Sequence, residues 1–236
     1  MKKLAQSLKD NRAFWKNPVA IIFGTLLLFF GSQLIGALIV TPLFPLVSSE
    51  NTRLFLYIAA NLSVLMLFLS VASRINGFSW RQIGIKDVSL KHLFLTLPIF
   101  LVYIFLGTVL TQFAIKFLPG FDPTQTQDIG FSQTGGIARL MAFLSLVVLT
   151  PLFEELLFRG VLFKGLRQRL PLWVAIIFTS FIFAVAHGQL NVAIDTFALS
   201  VFLCLLVEKT GSIAPAILLH ALKNGLAFYI LFIHRG

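Results

Sequence analysis

The sequence predicts an all-α integral membrane protein with about seven transmembrane helices. Three observations carry this. Of 236 residues, 58% are hydrophobic and 12% are charged, whereas a soluble domain carries roughly 25% charged residues. The apolar residues gather in runs of about 18 or more, enough to cross a bilayer as helix. Polar stretches rich in Lys and Arg separate those runs.

Residues 1–17 form a polar, basic N-terminus with Lys2, Lys3, Lys9, Arg12, Trp15 and Lys16. Span one covers Pro18–Thr41 and is ended by Pro42 and Pro45. It is too long for a signal-peptide core and lacks a small-x-small cleavage site, so it is expected to be retained. Span two is Leu54–Ser73, followed by a polar segment with Trp80, Arg81, Lys86 and Lys91. Span three is Leu93–Leu118, with a kink expected at Pro98. A neutral-to-acidic loop with Asp122 and Asp128 reaches Gly136.

Span four starts at Ile137 and runs past Glu154 and Glu155 to Lys164, Arg167 and Arg169. At about 30 residues it is longer than a bilayer needs, so its end is expected to project. Span five runs from Pro171, a good first-turn residue, to His187-Gly188. Spans six and seven are Asn191–Glu208 and Ile213–Ile233. With no internal repeat, the chain divides into 1–17, the membrane helices and loops of 18–136, and a C-terminal core of four helices over 137–236.

A net charge of +10 would suggest nucleic acid in a soluble protein; here the positions of the charges matter more. Lys and Arg concentrate in the N-terminus and in the two–three, four–five and six–seven loops, against Arg53, Lys116, Arg139 and Arg235 opposite. The positive-inside rule puts the N-terminus in the cytoplasm. The bilayer is the expected partner, and nucleic acid is not. The single cysteine, Cys204, excludes a disulfide framework and reads as a small core residue remote from the motifs below.

Glu154, Glu155 and Arg159 stand within an apolar run. A charged side chain at the bilayer centre costs about 2.5–3.5 kcal/mol on insertion scales, so three within six residues call for a role. Glu155 and Arg159, four apart on a helix, share a face and can pair. Glu154 points about 100° away and is left free.

Depth brings other groups to its level. Leu170 marks the turn between spans four and five. Glu154 lies 16 residues before it and His187 17 after it, so an antiparallel hairpin sets them level. His220 and Asn224 lie about 12 and 18 Å along span seven, at about 1.5 Å per residue, and share a face. One cavity can therefore gather Glu154, Glu155, Arg159, His187, His220 and Asn224.

Singly, each has a plainer reading. Glu155 with Arg159 could be a structural ion pair, either His a packing residue, and Asn224 interhelical glue. Lys223 is expected to snorkel toward the cytoplasm, Asp195 to be solvated or to cap a helix near the outer interface, and Asn61 and Gln112 to pack between helices. The convergence of all six site residues is what packing does not explain.

A carboxylate and an imidazole on one water make a base that can activate it for attack on a carbonyl. A second His with an Asn offers donors to the oxyanion. No Ser or Cys nucleophile accompanies them, which makes hydrolysis by activated water the natural reaction. Alternatively, Glu154, His187 and His220 form a His₂Glu set of the kind that holds zinc with an open fourth position. Residue type leaves the metal and metal-free versions equally open.

Glu154-Glu155-x-x-x-Arg159, Phe183-x-x-x-His187 and His220-x-x-x-Asn224 resemble, in order, the three motifs of the CPBP (ABI) family of intramembrane proteases, which includes the CAAX prenyl endopeptidases. Phe158-Arg159-Gly160 continues the first motif, and Trp80-Arg81-Gln82-Ile83-Gly84-Ile85 is similar to the family's cytoplasmic linker. The resemblance implies that Glu154 and His187 activate water, His220 and Asn224 bind the oxyanion, and Glu155 and Arg159 hold the site together. It also implies a metallo- or glutamate-type endopeptidase acting on a peptide or protein substrate, lipidated in CAAX-type processing.

The short chain, with little beyond its spans, points to the prokaryotic cell (inner) membrane. The rival readings are a non-catalytic peptide-binding or immunity protein and, behind it, an ion-coupled transporter.

Overall fold

The computed structural model describes residues 17–76, 79–125, 131 and 135–234. The expectations at Lys2, Lys3, Lys9, Arg12, Trp15, Lys16, Asp128 and Arg235 lie outside the described residues. Within them the fold is all helical, with six helices long and apolar enough to cross a membrane and a shorter apolar seventh. The protein is an integral multi-pass membrane protein.

Helix α1, Pro18–Val40, begins where the Asn17 side chain accepts a hydrogen bond from the Val19 N–H at 2.9 Å. A capping amide followed by Pro in the first turn is a strong start signal. The end comes as predicted at the prolines, through a 3₁₀ turn over Thr41–Leu46 that contains Pro42 and Pro45. Phe23, Leu27, Phe30, Leu34 and Leu38 stay exposed along α1, which suits a helix surrounded by lipid.

Helix α2 spans Glu50–Asn76. Buried Asn61 packs against Gly36 of α1, where any Cβ would collide with its amide. That amide donates to the Ser32 and Tyr57 carbonyls, each at 3.3 Å. It is interhelical packing of the kind the sequence suggested. The third span is broken into α3, Leu90–Phe94, and α4, Thr96–Phe117, with Leu95 between them. Pro98 explains the break. It has no N–H for the carbonyl four residues earlier, on Phe94, and its ring crowds that carbonyl.

The fourth span is continuous from Gly136 to Arg167 but not uniform. Helix α5, Gly136–Phe143, gives way to a π turn over Leu144–Leu149. Helix α6, Thr150–Glu154, leads into a second π stretch over Glu155–Phe163 and then α7, Lys164–Arg167. Such wide turns are rare and recur at functional sites. Here they flank Thr150–Glu154, and Glu155 opens the second.

Helix α8, Leu172–Val185, is shorter than expected. Its 14 residues reach about 21 Å, short of the ~30 Å hydrocarbon core. His187 therefore lies in the turn beyond it rather than in a helix. Helices α9, Leu190–Thr210, and α10, Ala214–Phe228, complete the bundle, α10 continuing as a π turn over Tyr229–His234.

Two apolar clusters bind these helices, a smaller one of Ala142, Val147, Phe228 and Phe232 and a larger one. Ile21, Leu65, Leu157, Ile176, Leu199, Leu203 and Leu219 are all fully buried in it. Phe29 of α1 packs on Phe153 and Phe158, with ring centroids 6.1 and 5.9 Å apart, so α1 abuts the carboxylate-bearing span. The segment before α3 is held just as firmly. Ile83 is fully buried, and a Cβ at Gly160 would stand 2.9 Å from its carbonyl oxygen. Gly84, with φ +88, turns its carbonyl to accept from the Ile213 N–H at 3.0 Å. A polar loop thus clamps the fourth span to the start of α10.

Candidate active site

The site begins with a fully buried ion pair. Arg159 Nη1 donates to Glu155 Oε1 at 3.0 Å, and neither side chain is exposed. The i, i+4 spacing predicted this contact, and it survives the π turn. The guanidinium carbon also stands over the Phe183 ring, 4.3 Å from its centroid. A desolvated cation on an aromatic face contributes about 2 kcal/mol. Phe183 further meets His187 and His220 edge-on, at 4.9 and 6.0 Å between ring centroids. It is the hub on which the other groups rest, a role its place in the second motif did not reveal.

His220 bridges the two carboxylates. Its Nδ1 lies 2.9 Å from Glu155 Oε1 and its Nε2 lies 3.7 Å from Glu154 Oε2. An ionised Glu155 only accepts, so the Nδ1 position carries the hydrogen. His220 Nε2 is then turned to Glu154.

The second imidazole is fixed differently. His187 Nδ1 lies 2.8 Å from the Phe183 carbonyl oxygen. A carbonyl can only accept, so Nδ1–H donates and Nε2 is left with its lone pair. Asn224 donates from Nδ2 to the Leu146 carbonyl at 2.9 Å. That carbonyl belongs to the π turn of Leu144–Leu149, where the wide turn re-aims backbone groups. Each amide nitrogen carries two hydrogens, so one remains for another acceptor.

These groups surround one cavity of about 320 Å³, lined among others by Glu154, His187, His220, Asn224, Thr150 and Lys223. Glu154 Oε2 has no hydrogen-bond partner among the described residues. Four of the six expected site residues face this cavity, and Glu155 and Arg159 lie buried behind it. The face-by-face division of the two carboxylates is as the sequence predicted.

Three expectations are corrected. Lys223 does not snorkel; its Nζ turns to Asp195 Oδ2 at 3.5 Å and it lines the cavity. Asp195 is not a cap, because its Oδ1 accepts from the Tyr103 hydroxyl at 2.6 Å. In both cases a partner on another helix wins over the interface. Cys204 is not remote from the motifs, since its buried thiol lies beside Arg159 and Ser200. Spacing to His220 along α10 was the available signal for Lys223; nothing local pointed to Tyr103 or to its pairing with Asp195.

Glu154, His187 and His220 all line the cavity. Yet among the described residues no three His, Cys, Asp or Glu side chains are grouped to hold a metal ion. His220 has both ring nitrogens turned to carboxylates. As arranged, the three do not form a ready zinc site.

Residues 136–226 match the family model described as type II CAAX prenyl endopeptidase Rce1-like. The match spans all three motifs and bears out the resemblance to the CPBP/CAAX protease family. No curated protein and no solved structure matches the chain.

Proposed function

We propose, from the premise that residues 136–226 are an Rce1-like peptidase core, that the chain is an intramembrane endopeptidase that hydrolyses its substrate with a water activated by Glu154 and His187. The substrate is a membrane-associated or precursor peptide, processed in CAAX fashion. One observation carries this: Glu154, His187, His220 and Asn224, from three motifs far apart in the chain, line one cavity.

The roles follow from the hydrogen bonds. Glu154 Oε2 is unpartnered and His187 Nε2 is the lone-pair nitrogen, so both can take a proton from a water between them. A base in that position supplies about 10²–10⁴-fold. As the water attacks the scissile carbonyl, negative charge develops on its oxygen. The free Asn224 N–H and, with His220 held as an imidazolium between the two carboxylates, its Nε2–H are the donors to meet it, and one such donor is worth about 10²–10³-fold. Glu154, now protonated, returns its proton to the leaving amine.

Glu155 and Arg159 act through His220. They fix the ring by its Nδ1 and balance the charge of the pair within lipid. The proposal fails if purified Glu154→Gln, folded in detergent, cleaves a precursor at the wild-type rate.

The expected orientation brings the substrate from the cytoplasmic side or laterally from lipid. A cell-surface labelling experiment on single cysteines in the Arg74–His92 segment and at Asp122 fixes which side is which.

A further inference from the structure

The carboxylate-bearing span has a second lined face. Leu152 and Leu156 lie two residues to either side of Glu154, about 200° round a helix from it. They line a groove of about 370 Å³ that shares no lining residue with the catalytic cavity among the described residues. Leu62 and Met66 of α2 and Ile217 of α10 continue its apolar wall, and Lys86 is the charged residue on it. The Ser212 hydroxyl donates to the Lys86 carbonyl at 3.2 Å, which ties that lysine's backbone to the start of α10. A second ammonium meets it there. Lys164 Nζ donates to the Gly211 carbonyl at 2.9 Å, and a Cβ at Gly211 would stand 2.5 Å from Lys86 Nζ. The two like charges act on one another, and neither forms an ion pair among the described residues. Glu208 also acts on Lys164, but it is held by Arg167, whose Nε and Nη2 both stand 3.0 Å from its Oε1.

Two cations without a counter-ion at an apolar groove suit an anion with an apolar tail. Leu156 and Leu152 stand eight and twelve residues before Lys164, about 12–18 Å along a helix. That depth matches one leaflet, about half of the ~30 Å hydrocarbon core. Apolar walls alone select no occupant, because lipid tails pack as well elsewhere in the bilayer; the charge selects. Lys86 and Gly211 belong to loops expected at the cytoplasmic face, where anionic lipids concentrate and basic pockets between helices take their headgroups. We propose that this groove binds an anionic phospholipid, with its phosphate between Lys86 and Lys164 and one acyl chain along Met66, Leu152 and Leu156. Such a site stands whether or not the chain is a peptidase. Each lysine favours an anionic over a zwitterionic headgroup about fivefold, and the pair about 25-fold.

The test is photolabelling of the full-length protein in detergent micelles by phosphatidylglycerol that carries a diazirine in one acyl chain. Peptide mapping should place the adducts on Leu62, Met66, Leu152 and Leu156. Unlabelled phosphatidylglycerol should displace the probe at a concentration about 25-fold below that of phosphatidylcholine. The double variant Lys86→Gln with Lys164→Gln should bring the two competitors level, whereas Lys86→Arg with Lys164→Arg should keep them apart. Met66→Trp, which fills the groove and leaves both charges in place, should remove the adducts at an unchanged unfolding midpoint. Equal displacement by the two lipids in wild type overturns the inference, as does a preference that survives the double Gln variant. Adducts confined to the lipid-facing Phe23 and Leu27 of α1 overturn it too. A farnesylated decapeptide that displaces the probe better than phosphatidylglycerol does would assign the groove to a lipidated peptide instead, and would overturn the phospholipid site while leaving the peptidase reading intact.

Discussion

His220 is bonded to Glu155, at 2.9 Å, and not to the neighbouring Glu154, which it faces at 3.7 Å. The two adjacent carboxylates are thereby given different tasks. Glu155 holds Arg159 and His220 through Oε1, and although its Oε2 also lacks a hydrogen-bond partner among the described residues, the side chain is fully buried behind the cavity and not among its lining residues, whereas Glu154 lines it. Glu154 keeps an oxygen without a partner.

Removing Arg159 should leave Glu155 as an uncompensated buried charge. Arg159→Ala is expected to destabilise the protein by about 3–5 kcal/mol, read as a lower unfolding midpoint in detergent. The double variant Glu155→Gln with Arg159→Met should regain much of that stability and remain inactive. A double variant no more stable than Arg159→Ala would show that the loss is one of packing rather than charge.

Phe183→Leu keeps an apolar side chain but removes the ring beneath Arg159. It should cost about 0.5–2 kcal/mol for the lost cation–π contact. Because the same ring positions His187 and His220, kcat should fall with KM little changed. A fall in stability with no change in kcat would deny Phe183 its positioning part.

Gly160→Ala tests the clamp between the Trp80–Lys86 loop and the fourth span. The new Cβ meets the Ile83 carbonyl oxygen at 2.9 Å, and backbone cannot yield cheaply. Overpacking of this kind costs about 1–3 kcal/mol. Limited proteolysis should cut the loop faster in the variant than in wild type. Equal cleavage rates would mean that the loop accommodates the methyl group.

His220 has its Nδ1 bonded to Glu155 and its Nε2 facing Glu154, so hydrolysis is expected to persist after dialysis against EDTA and 1,10-phenanthroline. Loss of activity that zinc alone restores would make His220 a metal ligand and require it to leave Glu155.

Much of this was legible in the sequence because the bilayer simplifies the code. Long apolar runs become helices, and a proline three residues past Leu95 breaks one of them. The Glu155–Arg159 pair follows from spacing on a single helix. What was hidden depends on contacts between segments distant in the chain. Lys223 seemed bound for the interface because its partner Asp195 sits on another helix, and Cys204 seemed remote because its closeness to Arg159 is purely tertiary. The partner of each histidine depends on helix phase, and the π turns around Glu154 alter that phase in a way no periodicity announces. The grip of Ile83 and Gly84 on Gly160 and Ile213 joins a polar loop to two helices, and composition alone reads such a loop as a linker.

The central claim is that Glu154 activates the water. Its most direct test is the single-turnover cleavage rate of purified Glu154→Gln beside Glu155→Gln and wild type, on one identified precursor, with unfolding midpoints measured in parallel. Glu154→Gln should lose about 10²–10⁴-fold in rate while keeping the wild-type midpoint, since the Glu154 side chain bears no structural hydrogen bond at Oε2. Cleavage by folded Glu154→Gln at the wild-type rate would contradict the assignment outright.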